Sequence, residues 1–142
     1  MKIKQVLAAK TKPLTTVTPE DTVLAAARLM SERDVGAALV LEQGKLVGMF
    51  TERDCLQKMV AAGRDPATTK VREVMSQRVR YATPDLEVSE GLALMTERFF
   101  RHLPVLDENQ NLLGIVSIGD LVKAKISEQE FIIEQLERYI VS

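Results

Sequence analysis

The stretch GMFTERD at residues 48–54 returns as GIVSIGD at residues 114–120, and this repetition decides how the chain is organised. Both copies reduce to Gly-x-x-(Ser/Thr)-x-x-Asp, in which the last residues are Asp54 and Asp120. Further upstream, TPED at 18–21 corresponds to TPDL at 83–86, and Val6 matches Val71 at the same offset. Matches that keep their order along both halves indicate an internal duplication.

Each half is predicted to form strand, helix, strand, strand and helix. Apolar residues recur at helical spacing in both halves: Val23, Ala26, Ala27 and Met30 in the first, and Val88, Leu92, Met95 and Phe99 in the second. Two strand pairs follow, 38–41 with 46–50 around Gln43-Gly44, and 103–106 with 112–116 around residues 107–110. Because these strands are continuous apolar runs, we expect both of their faces to be covered.

The domain boundaries follow from the repeat. We predict a first repeat over 1–62, a connector over 63–70 that contains Gly63 and Pro66, a second repeat over 71–126 and a C-terminal helix over 127–142. A repeat of this size is marginal alone, so the halves are expected to share one core. The tail is predicted to be an amphipathic helix, docked on the body or on a partner, with apolar residues Phe131, Ile132, Leu136, Tyr139 and Ile140.

Composition narrows the class of protein. The 142 residues carry 19 Lys and Arg against 20 Asp and Glu, which argues against a strongly basic nucleic-acid-binding domain. A single cysteine, Cys55, forms no intrachain disulfide and is predicted to be an inert thiol. No apolar run approaches the length of a membrane helix, and charges interrupt any signal-peptide core. We therefore expect a cytoplasmic protein without a membrane partner.

The repeated motif carries the chemistry. A hydroxyl and free N–H groups at the start of a helix favour an anion such as phosphate. A carboxylate three residues later accepts two hydrogen bonds from a ribose diol. The alternative interpretation is that Asp54 and Asp120 are helix N-caps without a ligand. Two copies at equivalent positions favour shared ligand chemistry, but both interpretations stay open at this point.

The chain resembles a tandem pair of CBS (cystathionine β-synthase) domains, also called a Bateman module, of the stand-alone bacterial type. The resemblance runs from Val6 to Ile126 and is carried by Thr18-Pro19, Leu29-Met30, 48–54, 71–75, Thr83-Pro84, Leu94-Met95, 101–105 and 114–120. It implies an α/β (α+β) fold, with two pseudo-symmetric βαββα repeats packed as one module plus the C-terminal helix. It also implies clefts for adenosine-containing ligands, with AMP first and ATP, NAD or S-adenosylmethionine as alternatives.

The resemblance assigns residues to two clefts, each built from both halves. In the first, Asp120 would hold the ribose hydroxyls and Ser117 the ribose or phosphate. Its other members are Ile118, then Thr18, Val23, Val35 and Ala37 around the adenine, and Arg101 and His102 at the phosphates. The second cleft would use Asp54 and Thr51, with Thr83, Val88, Phe100 and Leu103 around the base and Arg53 at a phosphate.

The two clefts are not equivalent. The first half has Gly36-Ala37 at the repeat position of Arg101-His102, so the second cleft lacks that basic pair. Gly119 stands where the family pattern often has Ser or Thr, and we expect it to let backbone approach the ligand. For these reasons the Asp120 cleft ranks first.

The leading functional hypothesis is a regulatory sensor that binds adenine nucleotides and signals through its shape or its dimer contacts. The sequence contains no metal-ligand cluster and no Walker-type loop, so neither an enzyme nor a catalytic cofactor is expected. A homodimer is expected through the helix faces at Leu29-Met30 and Leu94-Met95 and through the tail. The alternative is a constitutive dimeric interaction protein with vestigial clefts. A third option is single-stranded nucleic acid binding through Arg101. The downstream target is unknown.

Overall fold

The computed structural model describes residues 1–141, which divide into two compact units. One unit is Lys12–Arg80, and the other combines Met1–Thr11 with the chain from Tyr81 onward. In chain order the elements are α1 (Ile3–Ala9), β1 (Thr16–Val17), α2 (Val23–Arg33), β2 (Ala37–Glu42), β3 (Lys45–Thr51), α3 (Glu52–Asp54), a π-helical segment (Cys55–Val60), α4 (Val71–Val74), α5 (Val88–Arg98), β4 (His102–Leu106), β5 (Leu112–Ser117) and α6 (Ile118–Val141).

The unit Lys12–Arg80 is built on a three-stranded sheet in the order β1-β2-β3. Strand β1 runs parallel to β2, and β2 pairs antiparallel with β3. The turn between β2 and β3 has positive φ at Gln43 and Gly44, as a tight hairpin requires. Helix α2 begins at the N-cap Thr22, whose side chain accepts from the Ala25 N–H, and it buries Val23, Ala26 and Met30. Phe50 is the largest fully buried side chain of the core.

The second unit has a two-stranded sheet of β4 and β5. The strand predicted at its start is wrong, because only an isolated parallel bridge joins Ala82 to Val105. Helix α5 buries Val88 and Met95 as predicted, but Phe99 is 76% exposed. Phe99 lies at the C-cap in the left-handed region, where the chain has left the helix, so its side chain no longer follows the buried face.

Each unit is completed by a short helix that begins with a buried apolar residue. In α1, the Ile3 N–H donates to the Leu86 carbonyl (2.9 Å) and Ile3 is fully buried. In α4, the Val71 N–H donates to the Asp21 carbonyl (2.8 Å). Leu86 and Asp21 are repeat equivalents, so Ile3 rather than Val6 is the counterpart of Val71. Residues 1–11 therefore pack with the second half of the sequence, and 71–74 pack with the first.

Helix α6 continues directly from the motif of the second half to Val141. Leu121 near its start is fully buried, and every residue from Gln129 to Ile140 is exposed. The expectation that the tail docks on the body is therefore wrong. The alternative, that it docks on a partner, stays a prediction.

Candidate functional site

The second motif lies where β5 ends and α6 begins. The Ser117 N–H donates to Asp120 Oδ2 (2.8 Å), and the Asp120 N–H donates back to Ser117 Oγ (3.0 Å). The first motif repeats this exchange, since the Thr51 N–H donates to Asp54 Oδ2 (3.0 Å) and the Asp54 N–H donates to Thr51 Oγ1 (3.2 Å). Each motif is therefore a capping box, in which two helix-end donors are satisfied reciprocally.

This geometry corrects the interpretation of the two aspartates as N-caps. In the first motif the N-cap is Thr51, and Asp54 is the third residue of the helix, from which its carboxylate reaches back. The reciprocal bonds between Ser117 and Asp120 place Asp120 in the same role. The spacing of three residues in the motif thus has a local structural cause.

A lysine reaches each carboxylate from a different part of its unit. Lys10 Nζ donates to Asp120 Oδ2 (2.8 Å) and to the Ile115 carbonyl (2.9 Å). Lys58 Nζ lies 3.0 Å from Asp54 Oδ1 and donates to the Val74 carbonyl (2.9 Å). Lys10 follows α1 whereas Lys58 lies in the π-helical segment, so the two cations do not derive from the duplication. Both motifs nevertheless place an ammonium between the aspartate and a carbonyl.

The two carboxylates differ in what remains open to a ligand. Asp54 is 7% exposed at its side chain, and both oxygens take donors, including Ser76 Oγ at 3.2 Å from Oδ1. Asp120 is 28% exposed, and its described donors all reach Oδ2. Oδ1 of Asp120 is therefore the oxygen with capacity to accept further hydrogen bonds.

The protonation of Asp120 follows from the same contacts. Burial by itself raises the pKa of the Asp120 carboxyl. The hydrogen bonds from Lys10 and from the Ser117 N–H, together with the Lys10 charge, outweigh this effect and hold the pKa below its ordinary value of 3.8. Asp120 is thus ionised at neutral pH and able to accept hydrogen bonds from hydroxyl groups.

The first glycine of each motif serves packing. A Cβ added at Gly114 would lie 2.7 Å from Leu7 Cδ2, and one added at Gly48 would lie 2.8 Å from Met75 Sδ. Gly114 therefore lets α1 lie close against β5, and Gly48 lets the residue that follows α4 lie close against β3. At Gly119, by contrast, an added Cβ meets only Ser117 Oγ at 3.6 Å, so this position has room for a side chain.

The remaining predicted site residues lie in both units. The unit Lys12–Arg80 holds exposed Thr18 and Arg53, half-buried Val35, and buried Val23 and Ala37. In the other unit, His102 pairs with Ser117 across β4 and β5, the Arg101 carbonyl accepts from the Ile118 N–H (2.8 Å), and Arg101 is exposed. The same unit holds exposed Thr83, half-buried Phe100, and buried Val88 and Leu103.

Lys10, Lys58 and Ser76 were not predicted from the sequence. Lys58 stands four residues after Asp54, a spacing that places two helical side chains side by side. The sequence therefore contained a signal that predicts this ion pair. Lys10 is 110 positions from Asp120, and no local pattern connects them.

Within residues 1–141, no group of three or more His, Cys, Asp and Glu side chains is placed to hold a metal ion. No helix in that range is long and apolar enough to cross a membrane.

The duplication corresponds to a known family. A family model described as CBS domain matches residues 3–61 and 71–127. The chain belongs to the CBS-domain family. The CBS domain-containing protein YhcV of Bacillus subtilis is 41% identical over 119 residues, which cover 84% of each chain. The mitochondrial CBS domain-containing protein CBSX3 of Arabidopsis thaliana is 37% identical over 128 residues, which cover 87% of this chain and 62% of CBSX3, so the match spans less than two thirds of that relative.

Solved structures agree with this assignment. A protein with CBS domains from Burkholderia ambifaria superposes with a TM-score of 0.86 at 43% identity, covering 91% of this chain and 96% of that one. The CBS domain pair of MJ0100, solved with 5′-methylthioadenosine and S-adenosyl-L-methionine, superposes with a TM-score of 0.78 at 23% identity, covering 90% and 98%. CBS domain pairs are regulatory modules that commonly bind adenosine-containing ligands, and these matches indicate no catalytic family.

Proposed function

We propose that this CBS domain pair is a sensor that binds an adenine nucleotide, with AMP as the first candidate and ATP, NAD or S-adenosylmethionine as alternatives. The observation that carries the proposal is the ionised Asp120 carboxylate, which is held at a helix start with Oδ1 open. A ribose diol donates to such an oxygen, and Ser117 lies beside it. The complex of MJ0100 supports adenosine as the ligand class.

The Asp120 cleft is proposed as the tighter of two. Arg101 is exposed two residues before buried Leu103, so its guanidinium is available to a phosphate, which it binds bidentately. Asp54 is more deeply buried than Asp120, and its oxygens are already saturated by Thr51, Ser76 and Lys58. A ribose at Asp54 would have to displace these donors, which costs binding free energy.

Calorimetric titration with AMP, ATP, NAD and S-adenosylmethionine tests the proposal. We expect Asp120→Ala to weaken the tighter site by about 1.5–3 kcal/mol, as is typical of hydrogen bonds to a charged group. Asp85→Ala, at an exposed carboxylate of the same unit, is the matched control and should bind like wild type. Circular dichroism checks that each variant is folded. If wild type binds none of these compounds saturably, the proposal fails.

A second variant separates the phosphate from the nucleoside. Arg101→Ala removes only the side chain, and the backbone carbonyl that accepts from the Ile118 N–H remains. The fold should therefore be kept. We expect AMP binding to weaken and adenosine binding to stay unchanged. Equal effects on both ligands would contradict the assignment of Arg101 to the phosphate.

The signal is proposed to pass through shape or through a homodimer. A ligand shifts a conformational equilibrium only when its affinity differs between two states. Of the predicted dimer faces at Leu29-Met30 and Leu94-Met95, the methionines need correction, because Met30 and Met95 are 5% and 1% exposed and belong to the cores of their units. Leu29 and Leu94 are half-buried and stay proposed dimer contacts. A dimeric mass by light scattering is expected, and a monomer at working concentration would contradict it.

A constitutive interaction protein with vestigial clefts is the second candidate. It is favoured by the lysines, since Lys10 and Lys58 already neutralise both motif carboxylates. Under this hypothesis the dimer forms, and no adenosine compound changes its mass or its melting temperature.

A cytoplasmic location also stays a proposal, which imaging of a tagged chain would test. Nucleic acid binding through Arg101 stays a prediction, and a salt series with an oligonucleotide would test it.

A further inference from the structure

The tail of α6 carries an apolar seam along one side. Ile126, Ile133 and Ile140 follow one another at intervals of seven residues and are 53%, 53% and 81% exposed. Val122, Gln129 and Leu136 lie at the intervening positions, three residues after or four residues before an isoleucine. This alternation is the heptad pattern of a coiled coil, with isoleucine at a and Val122, Gln129 and Leu136 at d.

The seam is separate from the side of α6 that packs on its own unit. Leu121 is fully buried and Ala124 is half-buried against the core, whereas Val122 is 42% exposed. The seam therefore begins within the part of α6 that packs on its own unit, but on a side of the helix that stays exposed there. Phe131, which is 62% exposed, falls on the opposite side of the helix from Leu136.

We propose that a second copy of this chain covers the seam, so that two α6 helices form a parallel two-stranded coiled coil over residues 122–140. A second copy brings an identical heptad pattern, and isoleucine at a with leucine at d, as at Ile133, Leu136 and Ile140, favours two parallel strands. The helix is already formed as a continuation of the body, so the nucleation cost that limits short isolated helices does not oppose pairing. The inference deepens the homodimer proposed above and is independent of the ligand.

Charge and hydrogen bonding favour the parallel orientation. In a parallel pair Lys125 at position g lies near Glu130 at position e of the other copy, which is an attractive contact made twice. The two Gln129 side chains also meet in one layer, where their amides satisfy each other. In the antiparallel register that pairs Ile126 with Leu136, Gln129 would instead face Ile133. Glu130 would then lie near the Glu130 side chain of the second copy. That register leaves an amide unpaired and brings like charges together.

Cysteine cross-linking tests the pairing in the full chain. Leu136→Cys is made in a Cys55→Ser background, because Cys55 is the single native cysteine. Two d positions of a parallel pair lie close enough for a disulfide. We expect Leu136→Cys to form a disulfide-linked dimer under mild oxidation and Phe131→Cys, the matched control, to stay unlinked. Equal cross-linking of the two variants would overturn the proposal.

Two further arms separate the remaining outcomes. Mixing Ile126→Cys protein with Leu136→Cys protein should give only same-variant dimers, and a mixed dimer would overturn the parallel coiled coil. Leu136→Asp should raise the dimer dissociation constant at least about tenfold in sedimentation equilibrium, whereas Phe131→Asp should not. A dimeric mass without cross-linking at Leu136 would overturn the coiled coil and leave the homodimer itself standing. Calorimetry with AMP reads ligand binding separately from all these outcomes.

Discussion

The contact between Lys10 and Asp120 ties the N-terminal segment to the second motif, and Lys10→Met removes it. Methionine keeps an unbranched apolar stem but has neither the charge nor the N–H donors. The substitution therefore deletes the hydrogen bonds from Nζ to Asp120 Oδ2 (2.8 Å) and to the Ile115 carbonyl (2.9 Å). The Ser117 N–H remains as a donor to Asp120.

The expected loss of stability follows from these two bonds. A hydrogen bond to a charged group contributes about 1.5–3 kcal/mol and one to a neutral acceptor about 1 kcal/mol. Lys10 and Asp120 are each 28% exposed at their side chains, so water replaces part of both interactions in the variant. We therefore expect Lys10→Met to lower the free energy of unfolding by about 2 kcal/mol at pH 7.

The pH dependence gives the prediction a second signature. The pKa of Asp120 is lower in the folded chain than its ordinary value of 3.8, so its ionic contacts stabilise the fold above that value. This contribution is lost as the pH falls through the lowered pKa. The difference between wild type and Lys10→Met should thus be constant between about pH 5 and 7 and shrink below pH 3.8. In the variant the pKa of Asp120 should rise, because burial is then opposed by fewer hydrogen bonds.

Urea unfolding followed by circular dichroism measures the free energies, and carbon-detected NMR titration of the Asp120 carboxyl measures its pKa. Lys4→Met is the matched control, since Lys4 pairs with Asp85 at 3.1 Å on the surface and both side chains are more than half exposed. It should cost much less. If Lys10→Met costs no more than Lys4→Met, or if its cost is the same at pH 3 as at pH 7, the reasoning is refuted.

Three further predictions concern packing and polar burial. Gly114→Val should cost about 1–3 kcal/mol in thermal unfolding, because its Cβ meets Leu7 at 2.7 Å, whereas Gly119→Ala should leave stability equal or raised. Asp54→Asn should cost about 2–3 kcal/mol at pH 7, as urea unfolding would measure, since an uncharged amide replaces the buried carboxylate that pairs with Lys58 and accepts hydrogen bonds from Thr51 and Ser76. Thr15→Val should be neutral or stabilising by the same measurement, because the buried Thr15 Oγ1 has no hydrogen-bond partner among residues 1–141.

Local patterns predicted most of the fold. The spacing of Val23, Ala26 and Met30 gave the buried face of α2, and Gln43-Gly44 placed the turn between β2 and β3. The prediction that Phe99 lies on the buried face of α5 was wrong, because periodicity does not show where a helix stops. The helix ends at Arg98, one residue before Phe99. Helix α1 was missed because its seven residues are anchored by carbonyls of Pro84 and Leu86, about eighty positions away.

The site was predicted less completely than the fold. The spacing between Ser117 and Asp120 pointed correctly to a helix start, since a capping box is local. The ion pair between Lys10 and Asp120 could not be predicted from the motif, because the two residues are 110 positions apart in the sequence.

The placement of residues 1–11 with the part of the chain that begins at Tyr81 has a consequence for synthesis on the ribosome. The unit Lys12–Arg80 is complete in sequence once residue 80 has emerged, and so it is able to fold early. The N-terminal segment must wait until β5 and the start of α6 have been made, because Val116 and Leu121 belong to the cluster that buries Ile3 and Val6. During that interval Ile3 and Val6 lack the residues that bury them, and their apolar side chains are open to chaperones and proteases.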